Sequence, residues 1–126
     1  MALTKKEVRA IIGVYVRAWV EQDPDLIVTI FTDSAVYYER VLGQPIRNRE
    51  GIRKYWQVKV VESQGRIKCD LLNLYLDGDT AIAEWEARFD DRAQGVRKRM
   101  REVAIIEFEG RLIASLREYW SSETIG

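Results

Sequence analysis

Hydrophobic side chains follow a helical period in the first half of the chain and a strand-like period in the second half. After the capping-box pattern Thr4-Lys5-Lys6-Glu7, apolar residues recur at helical spacing: Val8, Ile11, Ile12, Tyr15, Val16, Trp19 and Val20. This spacing predicts an amphipathic first helix. Asp23-Pro24 then predicts a second, short helix through about Phe31, because aspartate caps a helix and proline is favoured at its first position.

The segment that follows predicts a strand, a turn and a third helix. Residues 35–40 contain the strand-forming Val36, Tyr37 and Tyr38, and Gly43-Gln44-Pro45 turns the chain into a short return. We expect Asn48 to cap a helix whose apolar side chains form one stripe, namely Ile52, Tyr55, Trp56 and Val60.

Long strands dominate from Arg66 onward. The predicted strands cover residues 67–76, 80–89, 96–108 and 111–120, and polar or glycine-containing turns separate them. This order indicates an antiparallel meander. Helices first and strands afterwards predict an α+β fold in which the helices cover one face of a curved sheet. We expect one domain over residues 1–126, since a chain of this length is of ordinary size for a single domain.

The last hairpin yields a prediction of strand register. With Glu109-Gly110 as a two-residue turn, Phe108 lies opposite Arg111. Counting back gives the other pairs on the covered face: Ile106 with Ile113, Ala104 with Ser115, Glu102 with Arg117, and Met100 with Tyr119. This register also sets Arg101 opposite Glu118 on the outer face, so opposite charges meet on both sides of the sheet.

Charge predicts the facing of the strand over residues 80–89 as well. If Glu84 and Glu86 share the outer face with the arginines of the next strand, opposite signs become neighbours. The residues between them then turn toward the helices: Ala83, Trp85, Ala87 and Phe89.

Composition narrows the possible partners and chemistry. Lys plus Arg equals Asp plus Glu at 20 each, so we expect no nucleic-acid partner. No apolar run is long enough to cross a bilayer, and we expect a cytoplasmic protein without a signal peptide. Histidine is absent and Cys69 is the single cysteine, so only carboxylates remain as metal ligands and no internal disulfide can form. We expect a protein that works without a metal or an organic cofactor. Proton chemistry then falls to carboxylates, tyrosines, lysines or arginines.

The covered face predicts a binding pocket. Its polar candidates are Glu102, Ser115, Arg117 and Tyr119, and its apolar candidates are Tyr15, Trp19, Trp56, Trp85 and Met100. Glu102 and Arg117 could orient a substrate or could form a structural ion pair. Trp19 and Trp56 could line the pocket or belong to the core. Tyr15 and Tyr119 favour a cavity, because a buried hydroxyl needs a hydrogen-bond partner.

Several segments in this order resemble the nuclear transport factor 2-like superfamily. They are Tyr15-Val16-Arg17-Ala18-Trp19, Asp23-Pro24-Asp25-Leu26 leading into Ile30-Phe31-Thr32-Asp33-Ser34-Ala35-Val36, the helix from Arg49 to Trp56, and Arg117-Glu118-Tyr119-Trp120. The resemblance implies the cone-shaped, cystatin-like α+β fold of ketosteroid isomerase, SnoaL-like polyketide cyclases, scytalone dehydratase and limonene epoxide hydrolase.

The resemblance also implies roles for individual residues. Tyr15 matches the oxyanion-hole tyrosine of ketosteroid isomerase, and Glu39 matches its general base. The second oxyanion donor of that enzyme falls at Ala104, which has no side-chain donor. On the strand period alone, Glu39 could face either the cavity or water.

Two functions therefore stay open at this point. The first is a cofactor-independent isomerase, cyclase, dehydratase or hydrolase acting on a small apolar ligand, with Glu39 as base and Tyr15 and Tyr119 as hydroxyl donors. The second is a non-catalytic ligand-binding or protein-interaction module. An apolar outer face predicts a homodimer through the sheet: Val103, Ile105, Leu112, Ala114, Leu116 and Trp120.

Overall fold

A computed structural model describes residues 2–126 and has the α+β architecture that the sequence predicts. The elements in chain order are α1 (Lys5–Val20), α2 (Pro24–Ile27), a 3-10 turn (Val28–Ile30), β1 (Phe31–Tyr38), β2 (Ile46–Arg47), α3 (Asn48–Trp56), a π-helical segment (Gln57–Glu62), β3 (Gln64–Asp77), β4 (Thr80–Asp91), β5 (Val96–Glu109) and β6 (Leu112–Thr124).

One six-stranded sheet carries the fold, in the order β2-β1-β6-β5-β4-β3. The predicted meander of β3 to β6 is confirmed, and every neighbouring pair is antiparallel except β1 with β6. The helices pack on one face of this curved sheet, so the predicted cone-shaped, cystatin-like arrangement is confirmed.

The predicted capping box at the start of α1 is confirmed. Thr4 Oγ1 accepts from the backbone N–H of Glu7, and Glu7 Oε1 accepts from the backbone N–H of Thr4. The buried stripe of this helix faces the sheet and contains Val8, Ile12, Tyr15, Ala18 and Trp19. Tyr15 and Trp19 thereby reach the interior on successive turns.

The boundary between α2 and β1 lies earlier than the sequence predicts. Asp23 caps α2 through hydrogen bonds to the N–H groups of Asp25 and Leu26, as expected. The strand, however, begins at Phe31 rather than at Ala35. Phe31 is fully buried and pairs with Ile113 of β6, so a long-range contact overrides the local turn signal of Thr32 to Ser34.

A glutamine fixes the end of the π-helical segment to the start of β3. Gln22 Nε2 donates to the backbone carbonyls of Val60 at 2.9 Å and Gln64 at 2.8 Å. Gln22 itself has a φ of 55°, a left-handed conformation that non-glycine residues seldom adopt. The turn after α1 is therefore held in one arrangement against the segment that leads into β3.

The predicted facing of β4 is confirmed. Its inward side chains are buried: Ala83, Trp85, Ala87 and Phe89. Glu84 and Glu86 point outward, where both form ion pairs with Arg101 of β5.

The predicted register of the last hairpin is wrong. The turn residues are Gly110 and Arg111, with Gly110 at a φ of 63°, and Glu109 pairs with Leu112. A β-bulge between Glu107 and Phe108 then shifts the ladder by one more residue. The observed pairs on the inner face are Phe108 with Ile113, Ile106 with Leu116, Ala104 with Glu118, and Glu102 with Trp120.

Apolar burial accounts for this correction. The predicted register followed from a Glu109-Gly110 turn and was supported by charge pairs, but an exposed ion pair contributes only about 0 to 1 kcal/mol. Burying a leucine contributes about 1.5 to 3 kcal/mol, and Leu116 is fully buried in the observed register. Arg117 turns outward and donates to Glu107 at 2.9 Å.

The apolar outer face is smaller than predicted. Leu116 is buried on the inner side, and Trp120 lines the cavity described below. The half-buried residues that remain outside are Val103, Ile105, Leu112 and Ala114. Exposed Tyr119, which pairs with Val103, and exposed Ile82 enlarge this surface.

Candidate functional site

A cavity of about 230 Å³ lies between the helices and the inner face of the sheet. Its volume is slightly below the roughly 300 to 1,000 Å³ of typical ligand pockets, so it suits a compact ligand. Seven aromatic side chains contribute to its wall: Tyr15, Trp19, Tyr37, Tyr55, Trp56, Phe89 and Trp120.

The aromatic wall is held by ring contacts. Tyr15 stands edge-on to Trp56, with centroids 5.5 Å apart and planes at 84°. Trp85 supports Tyr15 from the sheet at 4.9 Å, and Tyr37 lies 5.6 Å from Tyr55. Such pairs contribute about 0.5 to 1.5 kcal/mol each beyond area burial, so the wall is fixed before a ligand enters.

Two tyrosines converge on Glu118, a carboxylate that the predicted register had placed outside. Tyr15 donates to Glu118 Oε1 at 2.9 Å, and Tyr37 makes a very short hydrogen bond to the same oxygen. The two phenol oxygens are 2.8 Å apart. Both hydrogen bonds favour the ionised form of Glu118.

Glu102 is the second carboxyl group of this cluster. It is only 2% exposed, and it lies on the neighbouring strand close enough to Glu118 for the charge of that carboxylate to raise its pKa. The indole N–H of Trp85 lies near enough to lower the pKa of Glu102, but it makes no well-formed hydrogen bond within residues 2–126. Glu102 Oε2 also has no partner within these residues.

The two glutamates differ in their hydrogen-bond partners. Desolvation by burial raises the pKa of Glu102 well above its usual range, and the charge of Glu118 raises it further. Desolvation raises the pKa of Glu118 to about 7, while the hydrogen bonds from Tyr37 and Tyr15 oppose this rise. The pKa of both carboxyl groups is therefore raised, and only Glu118 receives the tyrosine hydrogen bonds that oppose the rise.

The tyrosines stay protonated and act as donors. Desolvation raises the pKa of Tyr15 and of Tyr37 well above 10, and the charge of Glu118 adds to both effects. Tyr55, which also lines the cavity, has its pKa raised by desolvation and then by Glu118 and Glu39.

Glu39 lines the cavity nearer its entrance. Its side chain is 24% exposed and lies 4.0 Å from Arg40, which stacks at 5.0 Å over the ring of Trp120. The indole of Trp120 donates to the backbone carbonyl of Glu39 at 3.2 Å. This link ties the end of β1 to β6.

The structure brings together six of the ten residues predicted for the site. Those that line the cavity are Tyr15, Trp19, Glu39, Trp56, Met100 and Glu102. Trp85 lies behind Tyr15 in the core. The remaining three face outward, opposite the predicted direction, because of the register shift: Ser115, Arg117 and Tyr119. Tyr119 is 46% exposed, so the predicted donor role does not fit its position.

Sequence reasoning missed Glu118, Tyr37 and Tyr55 as site residues. Glu118 lies two residues after Leu116 on the same strand, so both side chains face the same side of the sheet. Assigning the apolar Leu116 to the core would therefore have placed Glu118 in the interior. Tyr37 is two residues before Glu39 and therefore lies on the same side of the chain. Tyr55 was interpreted as a packing residue, and no sequence signal separates that position from a cavity position.

The model of the SnoaL-like domain family matches residues 13–116. This chain belongs to the SnoaL-like family. The resemblance to the nuclear transport factor 2-like superfamily is thereby confirmed. No curated protein matches the sequence significantly. Among residues 2–126, no helix is both long and apolar enough to span a bilayer.

Solved structures share the fold at low sequence identity. One of them is SalBIII, an epoxide hydrolase/cyclase-like enzyme in pyran ring formation of the polyether salinomycin. Its TM-score is 0.82 at 20% identity, and the match covers 96% of this chain and 98% of the SalBIII chain. An LEH-like epoxide hydrolase from M. tuberculosis has a TM-score of 0.76 and 17% identity, covering 92% and 84%.

A third neighbour of this SnoaL-like protein has a ligand. It is a hypothetical protein with a ketosteroid isomerase-like fold from Catenulispora acidiphila DSM 44928, in complex with trimethylamine. Its TM-score is 0.80 at 18% identity, and the match covers 88% of this chain and 85% of that one. At these identities the three structures establish the fold of the present chain.

Proposed function

We propose that this SnoaL-like protein opens an epoxide on a compact, apolar small molecule by acid and base catalysis. The single observation that carries the proposal is the pair of buried carboxyl groups in one cavity, of which only Glu118 receives hydrogen bonds from Tyr15 and Tyr37. A pair made of one protonated carboxylic acid and one ionised carboxylate can supply a general acid and a general base in the same cavity.

The proposed reaction moves two protons in opposite directions. Glu102 donates its proton to the epoxide oxygen as the carbon–oxygen bond breaks. A water or substrate hydroxyl attacks the released carbon, and the Glu118 carboxylate accepts its proton. The proton then returns from Glu118 to the neighbouring Glu102, which restores the starting state. Attack by water gives a diol, and attack by a hydroxyl of the substrate gives a cyclic ether.

The other cavity residues have supporting roles in this proposal. Tyr15 and Tyr37 hold Glu118 in position and keep its basicity moderate. Glu39, the base expected from the sequence, lies near the entrance and would orient the attacking hydroxyl. Ala104 is fully buried beside Glu118 and offers no second donor to an enolate, so ring opening fits the cavity better than steroid isomerisation.

Two of the structural neighbours support the reaction class. SalBIII is described as epoxide hydrolase/cyclase-like, and the M. tuberculosis protein as an epoxide hydrolase. The fold alone would support many reactions. The neighbours therefore add weight only together with the carboxyl pair.

Turnover of two epoxides by matched variants tests the proposal. We expect the protein to convert 1,2-epoxyhexane to the diol and 5,6-epoxyhexan-1-ol to the cyclic ether. Chromatography of the products measures both reactions. Glu102→Gln and Glu118→Gln should each lower kcat/KM at least about 100-fold, since general acid or base catalysis contributes about 10² to 10⁴. Glu107→Gln on the exposed outer face is the control. Unchanged rates in both cavity variants would contradict the proposal.

A second candidate function is the binding of a small organic cation without chemistry. Aromatic faces and carboxylates line the same cavity, and this combination attracts ammonium groups. One neighbour was solved in complex with trimethylamine. Calorimetry with trimethylammonium tests this candidate: binding by the wild type that Glu118→Gln weakens, combined with no epoxide turnover, would favour it.

We also propose that two copies associate through the outer face of the sheet. The half-buried Val103 and Ile105 with exposed Tyr119 form its apolar centre. Light scattering should give a mass near twice 14.7 kDa. Tyr119→Lys should shift it toward the monomer, whereas a monomeric wild type would overturn the proposal.

A further inference from the structure

The entrance of the cavity differs in charge from its floor. Two lysines line it, Lys59 from the π-helical segment and Lys98 from β5, with Asp91 as the carboxylate between them. Lys98 Nζ lies 3.2 Å from Asp91, and both side chains are only 18% exposed. Glu39 also lies near the entrance, so the excess of one positive charge is confined to the group of Lys59, Lys98 and Asp91, while Glu102 and Glu118 lie on the floor.

Asp91 is already committed to protein partners. Its Oδ1 accepts from the backbone N–H of Gln94 at 3.1 Å, and its Oδ2 pairs with Lys98. Burial raises the pKa of Asp91, but Gln94, Lys98 and Lys59 together lower it overall. Lys59 has no carboxylate within 4.0 Å among residues 2–126, so its ammonium group can accept another anion.

Gln64 supplies an independent indication of a ligand at this end. It is 5% exposed, lines the cavity and pairs with Asp91 across the β3–β4 ladder. Its Oε1 accepts from the indole N–H of Trp19 at 2.8 Å. Since an indole can only donate, the amide orientation is fixed. The NH₂ group of Gln64 then has no acceptor within the described residues, and it is the accessible part of a side chain that is otherwise buried in the cavity wall.

The local backbone is built to hold these donors. Gln22 clamps the carbonyls of Val60 and Gln64, the two residues that flank the turn from the π-helical segment into β3. π-Helical turns are rare and often occur at functional sites. Lys59 therefore lies on a specialised backbone segment with a fixed exit, one residue before the clamped Val60.

We propose that Lys59, Lys98 and the Gln64 amide bind a carboxylate on the substrate and so direct its opposite, apolar end to the Glu102–Glu118 pair. This inference rests on the proposed function, since it names the substrate class of the same cavity. The glutamates of the cavity repel the carboxylate, and the lysine pair of Lys59 and Lys98 attracts it, so the substrate enters in one orientation. The substrate class is a compact epoxy acid.

Binding without chemistry tests the proposal first. Calorimetry at low salt should show hexanoate binding about tenfold more tightly than hexanamide, which has the same chain and no charge. Lys59→Met should remove most of this preference, and Gln64→Leu should weaken hexanoate in the same direction. Lys54→Met, which removes an exposed lysine outside the cavity lining, should retain it. Added salt should reduce the preference.

Turnover separates the failure of this proposal from the failure of the proposed function. We expect 5,6-epoxyhexanoate to be opened with a lower KM than 5,6-epoxyhexanamide. Equal binding of hexanoate and hexanamide, or a preference unchanged by Lys59→Met, would overturn the carboxylate site even if both epoxides react. A clear preference for hexanoate with no turnover of either epoxide would leave the site standing and overturn the epoxide-opening function.

Discussion

The phenol of Tyr15 donates a 2.9 Å hydrogen bond to Glu118, across 103 residues of sequence. Tyr37 bonds the same carboxylate oxygen, so the floor of the cavity joins α1, β1 and β6 through one atom. This arrangement links the acidity of Glu118 to two phenols that bear no charge themselves.

We expect Tyr15→Phe and Tyr37→Phe to shift the pH dependence of turnover. Each substitution removes a hydrogen bond that favours the ionised carboxylate, so the pKa of Glu118 should rise. The basic form would then appear only at higher pH, and the acid limb of the kcat/KM profile should move upward. Each lost bond to a charged group should also cost about 1.5 to 3 kcal/mol of stability, measured by urea unfolding.

A control variant tests whether this result is specific to the cavity. Tyr119→Phe alters an exposed phenol on the outer face and should leave the profile unchanged. A profile that stays in place in both cavity variants would show that the tyrosines do not control the base.

The glutamate pair should make the folded state more stable at mildly acidic pH than at alkaline pH. Burial raises the pKa of both carboxyl groups above the usual value of 4.5, so the folded chain binds protons more tightly than the unfolded chain. Their contribution is fully present below pH 4.5 and is lost as the pH rises through the raised values, about 7 for Glu118. The loss should be on the order of 1 to 3 kcal/mol.

Urea unfolding between pH 5 and pH 9 measures this slope. Glu102→Gln keeps the shape of the side chain but cannot ionise, so its stability should fall less toward pH 9. A wild-type curve that rises from pH 5 to pH 9 would contradict the expectation. Asp90 acts in the opposite direction at low pH, because the hydrogen bond from Arg66 lowers its pKa to about 2.

Two glycine substitutions should have opposite effects on stability. Gly110 has a φ of 63° at the first position of the β5–β6 turn, so Gly110→Ala should cost about 1 kcal/mol or more from left-handed strain. Gly13 lies inside α1 with no atom near an added Cβ, so Gly13→Ala should stabilise by about 0.4 to 1 kcal/mol. Thermal melts of both variants measure the difference, and equal shifts would contradict the assigned turn.

A double-mutant cycle should distinguish the observed register from the one that the sequence suggested. Arg117 contacts Glu107 on the outer face, so Arg117→Met should cost at most about 1 kcal/mol. Combination with Glu102→Gln should be additive, while combination with Glu107→Gln should show coupling. Coupling between residues 102 and 117 would support the register that charge pairing predicted.

Local signals account for most of the architecture. The capping box of Thr4, the Asp23 cap and the alternating Glu84 and Glu86 each act within a few residues, and all were predictable. The site was harder to predict from the sequence, because it depends on pairing between strands that are distant along the chain. One bulge beside Phe108 reverses the facing of Ser115, Arg117 and Tyr119 and brings Glu118 inward.

A bulge of this kind carries little sequence signal. The charges that supported the other register have different partners in the structure: Arg101 pairs with Glu86, and Arg117 pairs with Glu107. Because exposed ion pairs contribute little, this exchange of partners has a small energetic cost. Tyr37 lies on the same side of the chain as Glu39, but its partner could not be identified while Glu118 was assigned to the outer face. The burial of Leu116 favours the observed register. This burial depends on the packing of the whole inner face, which the hairpin sequence alone does not contain.

The parallel pairing of β1 with β6 has a consequence for biosynthesis. A ribosome makes Tyr15 and Tyr37 long before Glu118, so the early part of the nascent chain must wait for its last strand before the floor of the cavity can close. Such a high contact order slows folding and leaves the edge of β1 uncovered in the meantime. The floor of the cavity can therefore be completed only after the last strand has been synthesised.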